Sequence, residues 1–236
     1  MNERSGYSGA VRKAVVADWQ RCLPQFGPYG PRGLGRRVGC LLQGVELDRG
    51  SSSDGYRPIL FCCALTVDLV AVDLSLSNTS LPDAGGYPWV TIREHPTGHA
   101  SVAMKLVERS PIPAAGPVKL SLFVNASRLT ASTSYLYAAD VIYRKVCLAC
   151  AWCEQPELVA RLLEEGAGVL KRWQTKQDII ERLGGVQGWQ DDVWACAQDK
   201  DGVVRTVLAN VSKLGLTSLP IADLIVDADV IESALK

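Results

Sequence analysis

The chain has 236 residues, 47% hydrophobic and 21% charged. That balance excludes intrinsic disorder for most of the chain, and the length supports a buried core without disulfide or metal staples. Its 25 Lys and Arg offset 25 Asp and Glu exactly in number, for a formal net charge of zero, which argues against a nucleic-acid binder because that class carries a basic excess.

The start of the chain, Met1 to Gly6, includes Glu3 and has no apolar stretch behind it, so no secretory signal is expected. The longest apolar run, residues 58–67, is too short to cross ~30 Å of hydrocarbon as a helix, so no membrane span is expected either. A cytoplasmic location follows, with the eight cysteines as reduced thiols. The glycosylation-type triplets at Asn78, Asn125 and Asn210 are silent in that compartment.

In chain order, residues 1–9 read as a flexible end. Residues 10–23 read as a helix, with Val11, Val15, Trp19 and Leu23 on one stripe and Pro24 as the stop. Residues 26–37 hold too much Gly and Pro for a helix or central strand and read as a loop. From 38 to 124 the apolar period is two. Strands are expected from Val38 to Leu42, across the apolar run 59–67, along the alternation Val70, Val72, Leu74, Leu76, and over 89–93, 100–107 and 118–124. Turns are expected at 49–55, 82–88, 95–99 and 110–117. Short turns favour antiparallel pairing.

Beyond Ala126 the pattern turns helical. Residues 135–153 lack breakers, and Pro156 opens a further helix that Gly166 ends. Thr175 to Asp178 reads as a capping box, with Gly184 closing the helix it starts. Residues 194–208 fit a helical face best, and a hairpin as the alternative. The resulting fold class is α+β: an antiparallel sheet of about six strands in the N-terminal half, covered by an N-terminal helix and a C-terminal helical segment. Residues 10–236 read as a single domain, with its sheet region at 38–124 and its helical region at 133–236. The layout of helix, sheet and helices resembles that of small bacterial immunity and accessory proteins.

Three patterns bear on chemistry. Cys147, Cys150 and Cys153 form two consecutive C-x-x-C spacings, which suit three thiolates on one ion or iron–sulfur cluster, with Cys196 as the only candidate for a fourth. The other reading is a buried helix face. The three residues fall within about 120° of one another on a helix, their neighbours are apolar, and free cysteine packs as a small hydrophobe. The two histidines, His95 and His99, have a spacing compatible with zinc but read as a polar hairpin turn. A thiol at Cys62 or Cys63 activated by either imidazole is a further possibility. The loop 27–39 carries Arg32, Arg36 and Arg37 among glycines. Glycine-rich backbone can cradle phosphate, but this loop follows a helix and opens a strand, the reverse of a dinucleotide fingerprint, so it reads as an irregular connection with solvated arginines, or else as a surface patch that meets an acidic partner. The segment Asp199 to Gly202 lacks the carboxylates of a calcium loop and reads as a turn. The six tryptophans read as core, with one or two as partner anchors.

No cofactor fingerprint is present. The preferred expectation is therefore a non-catalytic protein-interaction module, bacterial and immunity-like or an accessory subunit, with another protein as partner and no cofactor. The alternatives are an iron–sulfur or zinc protein on Cys147, Cys150 and Cys153, and a weak nucleic-acid accessory acting through Arg32, Arg36 and Arg37.

Overall fold

The computed structural model describes residues 9–49, 54–71, 77–79, 89–133, 139–172, 181 and 183–229. The expected alternation at Val72, Leu74 and Leu76, the turn at 82–88 and the capping box at Thr175 to Asp178 lie outside the described residues, as do most of residues 1–9 and of the turn at 49–55.

The first helix, α1 (Gly9–Cys22), forms where its stripe requires: Val15 and Trp19 are buried on it, and Leu23 follows just beyond. The next segment departs from expectation. Instead of a loop, it makes β1 (Gly27–Tyr29) and β2 (Gly33–Val38), a hairpin turning at Gly30 with φ +55. β3 (Leu41–Asp48) and β4 (Gly55–Ala64) continue antiparallel, and β4 then pairs with β5 (Ser77–Thr79) and β6 (Val90–Thr91). These six strands are the antiparallel sheet.

Two expected strands are helices. Residues 100–107 belong to α2 (His95–Arg109), whose buried His95, Ala103 and Leu106 follow the helical period once the count starts at 95. Residues 118–124 give only β7 (Val118–Lys119) before α3 (Leu120–Thr133) begins. The signal that starts α3 comes from far along the chain. The Asp227 carboxylate accepts from Ser121 N at 3.2 Å and from Ser121 Oγ at 2.6 Å, satisfying donors that a helix N-terminus leaves open.

The remaining helices are α4 (Ala139–Trp152), α5 (Pro156–Lys171), α6 (Gly185–Gln198) and α7 (Lys200–Lys213). The 194–208 region is thus helical, broken at Asp199, whose carboxylate caps α7 by accepting from Gly202 N at 2.9 Å. α5 does not stop at Gly166. A Cβ there would sit 2.5 Å from Trp189, so this glycine is where α5 passes the Trp189 ring rather than where it ends. The chain closes with β8 (Ile221–Ala222), parallel to β2, and β9 (Leu224–Ile225), parallel to β7.

Alternate residues of the central strands feed two apolar clusters. Leu34, Val45, Leu47 and Leu60 pack with α1 and α2, while Leu42, Phe61 and Cys63 pack with the helices from α3 onward. Among the described residues, no helix is long and apolar enough to cross a membrane.

Candidate functional site

The cysteine run lies on α4, a helix buried on nearly every side from Ile142 to Ala151. Cys147 and Cys150 are fully buried, and Cys153 sits just past the helix end, partly exposed. Burial pushes the thiols of Cys147 and Cys150 well up, and that of Cys153 up to about 11, which holds them as neutral, poorly nucleophilic groups. Cys196, on α6, accepts at its Sγ from Arg144 Nη2 at 3.3 Å. Among the described residues, no group of three or more His, Cys, Asp or Glu side chains is arranged to hold a metal ion.

The histidines do not form a surface turn. They occupy the first turns of α2, and His95 is buried. A chain of hydrogen bonds passes through it. Trp19 Nε1, which is only a donor, gives to the Tyr56 hydroxyl at 2.9 Å. Tyr56 in turn donates to His95 Nδ1 at 2.6 Å, leaving His95 Nε2 to donate to Asp18 Oδ2 at 2.9 Å. His99 stacks on His95 with ring centroids 4.5 Å apart and donates from Nδ1 to the His95 carbonyl at 2.7 Å. The order aspartate, imidazole, hydroxyl matches that of a nucleophile relay, but the hydroxyl belongs to Tyr56, which is 0% exposed. No substrate reaches it. The network joins α1, α2 and β4.

The structure brings neither histidine to Cys62 or Cys63. Both thiols are buried in the apolar cluster that packs with the later helices, and burial, then the neighbouring Cys63, raises the Cys62 pKa.

The arginine loop is corrected too. Arg36 is not solvated but 2% exposed. Its guanidinium donates to Gln43 Oε1 at 2.9 Å, Gly116 O at 2.7 Å and Pro113 O at 2.8 Å, and lies 5.7 Å from the Phe26 ring centroid. Burial lowers its pKa, and the carbonyl dipoles compensate the desolvation without a carboxylate. Arg37 points to the other face of β2, and Arg32 precedes the strand, so the three do not make one patch. The space beside three of the glycines is filled from within as well. A Cβ on Gly33 would meet the Tyr29 ring at 2.6 Å, one on Gly27 would meet Pro220 at 2.9 Å, and one on Gly39 would meet Leu224 at 3.0 Å. These gaps admit the protein's own side chains, not a phosphate.

Several surface hollows remain open among the described residues, and two of them are lined in part by an arginine. One, of about 290 Å³, lies among Thr66, Arg144, Cys196, Asp199 and Thr206. Its charged groups are already engaged: Arg144 pairs with Asp192, and Asp199 caps α7 and contacts Arg205 at 3.4 Å. The other, of about 380 Å³, runs along α1. Gly9, Arg12, Lys13, Val16, Ala17 and Gln20 form one wall at helical spacing, and Pro28, Gly30 and Pro31 of the β1–β2 hairpin form the other. This stripe lies beside the buried Val15 and Trp19. It went unread in the sequence because the inward stripe accounts for the helix by itself. Asp18 and Tyr56 also carry no local motif, since their partner is a histidine on another element. No family model, curated protein or solved structure matches the chain.

Proposed function

We propose that the protein is a non-catalytic interaction module, an immunity-like or accessory subunit that docks onto another protein. The observation that carries this reading is the hollow along α1. It combines an apolar floor, Val16, Ala17, Pro28 and Pro31, with cations at one end, and such a mixture is typical of recognition surfaces. Its walls are stiff. Two prolines and the left-handed Gly30 fix the hairpin side, so little ordering entropy opposes docking. The reading gains from where the reactive groups are used. The Cys147 and Cys150 thiols fill the core, His95 links three elements, and Arg36 holds the segment around Pro113 to the sheet.

The test is a photo-crosslinking residue at Gln20 in cells of the native host, with the same residue at the exposed Leu129 as control. A discrete adduct from Gln20 that disappears with Val16→Arg supports docking in the hollow. Equal adduct patterns from Gln20 and Leu129 refute it. Stoichiometric iron, zinc or acid-labile sulfide in the purified protein replaces it with the metal reading.

A further inference from the structure

We propose that the hollow along α1 receives an extended, acidic segment of the partner protein, its carboxylates over Arg12 and Lys13 and its small apolar side chains on Val16, Ala17, Pro28 and Pro31. The inference rests on the interaction reading and gives its partner a chemistry.

Three observations converge on an anion. First, the lining of this hollow carries two cations, Arg12 and Lys13, and no acidic residue. Second, the Arg12 guanidinium folds back toward Gly9: its Nη2 lies 3.9 Å from the position of a Cβ on that residue. Its Nε is buried without a hydrogen-bond partner. Third, neither Arg12 nor Lys13 pairs with a carboxylate among the described residues, so both charges are available to a ligand. Two cations therefore share one end of the hollow without a counter-charge among the described residues. Removing water from that end favours an incoming carboxylate.

The rest of the hollow selects a peptide over a nucleic acid. Beyond Lys13 the wall is Val16, Ala17 and Gln20, facing two prolines. A nucleic-acid strand needs cations along its whole path, while a peptide needs them only where its acids fall. From Gly9 to Gln20 the helix advances roughly 17 Å, the reach of about five extended residues. The occupant is thus a short stretch with acids at one end and Ala, Val or Pro at the other.

The probe is a fluorescein-labelled peptide of about eight residues, Glu-rich at one end and Ala/Val/Pro-rich at the other. Matched Gln and Lys peptides and a single-stranded oligonucleotide of equal charge serve as controls, and all are read by fluorescence anisotropy on the full chain. Preferential binding of the Glu peptide is expected. The double variant Arg12→Glu/Lys13→Glu should weaken it by about tenfold or more and shift preference to the Lys peptide. Arg12→Gln/Lys13→Gln should weaken it without that shift, and circular dichroism should show both variants folded. Raising the salt should weaken the Glu complex in the native chain. Tighter binding of the oligonucleotide, or a Glu-peptide affinity unchanged by charge reversal, overturns the inference. A Gln20 adduct together with no Glu-peptide preference leaves the interaction reading standing and removes the acidic partner.

Discussion

Replacing Tyr56 by Phe removes one oxygen from a site where nothing takes its place. Tyr56 and Trp19 are both 0% exposed and His95 is 5% exposed. The lost hydroxyl strands the Trp19 Nε1 donor and the His95 Nδ1 acceptor, which it now serves at 2.9 Å and 2.6 Å. A buried polar group left unsatisfied costs about 1–3 kcal/mol. Two of them put the expected loss near ~3 kcal/mol, against almost no change in volume. For a chain of this size that lowers the melting temperature by roughly 6–12 °C. Urea unfolding followed by tryptophan fluorescence and circular dichroism measures the loss directly, with coincident curves checking two-state behaviour. In a Trp19→Phe background the same change should cost less, because the indole donor is already gone, and the difference is the coupling energy of the pair. A Tyr56→Phe loss below about 0.5 kcal/mol, the range of neutral surface changes, would show that the chain from Trp19 to Asp18 does not stabilise the junction of α1, α2 and β4.

Other perturbations address the buried charges and thiols. Arg36→Met should destabilise by ~2–4 kcal/mol, since it leaves the buried Gln43 Oε1 without its donor and frees Gly116 O to water; an unchanged urea midpoint would refute the role assigned to Arg36. Burial raises the Glu46 pKa, with the Arg32 charge and the Tyr29 hydroxyl acting against it. The unfolded chain therefore gives up this proton first, and stability falls as pH climbs from the unfolded pKa through the folded one. The stability of Glu46→Gln relative to the native chain should accordingly rise between pH 4 and 7, and a difference that shrinks over that range contradicts the sign. Iodoacetamide on the native protein, read by peptide mass spectrometry, should modify the partly exposed Cys22 and Cys196 first. Cys40, Cys62, Cys147 and Cys150, whose pKa values burial raises, should react only on unfolding. Early labelling of Cys147 or Cys150 would put that part of the core in doubt.

Legibility in the sequence followed the range of the interaction involved. α1, α4 and α5 were readable because their buried residues repeat at local spacing and Pro24 and Pro156 mark boundaries. α2 was misread because Ala100 to Val107 is apolar at nearly every position, and such a run has no distinct period. Only His95, four residues N-terminal to His99, gives the stripe its origin. α3 was misread because its cap, Asp227, lies 106 residues away from Ser121. The hollow on α1 was visible only in part. Arg12, Lys13 and Val16 share a helical face in any projection, but the opposing wall comes from a hairpin that the density of Gly and Pro concealed as a loop.

That hairpin shows why glycine misleads when taken as a motif. A glycine in a strand records a close approach without naming what approaches. The nearest neighbour is Tyr29 for Gly33 and Gly35, but Pro220 for Gly27 and Leu224 for Gly39, both from the last part of the chain. The backbone confirms the pairing, since Arg37 N donates to Pro220 O at 2.8 Å and Gly39 N to Ala222 O at 3.2 Å. Past β8 the same segment turns to the helical half, where Asp223 O accepts from Val118 N at 2.9 Å and Asp227 caps α3. The absent side chains of Gly27 and Gly39 and the strap of residues 216–227 are thus two halves of one contact. Placing a methyl group at Gly39 forces the Leu224 side of that contact to move, and its φ of +54 adds backbone strain. Gly27 and Gly39 therefore serve to seat the C-terminal strap against the sheet. The hollow along α1, where Arg12 and Lys13 have no carboxylate partner among the described residues, lies outside that contact.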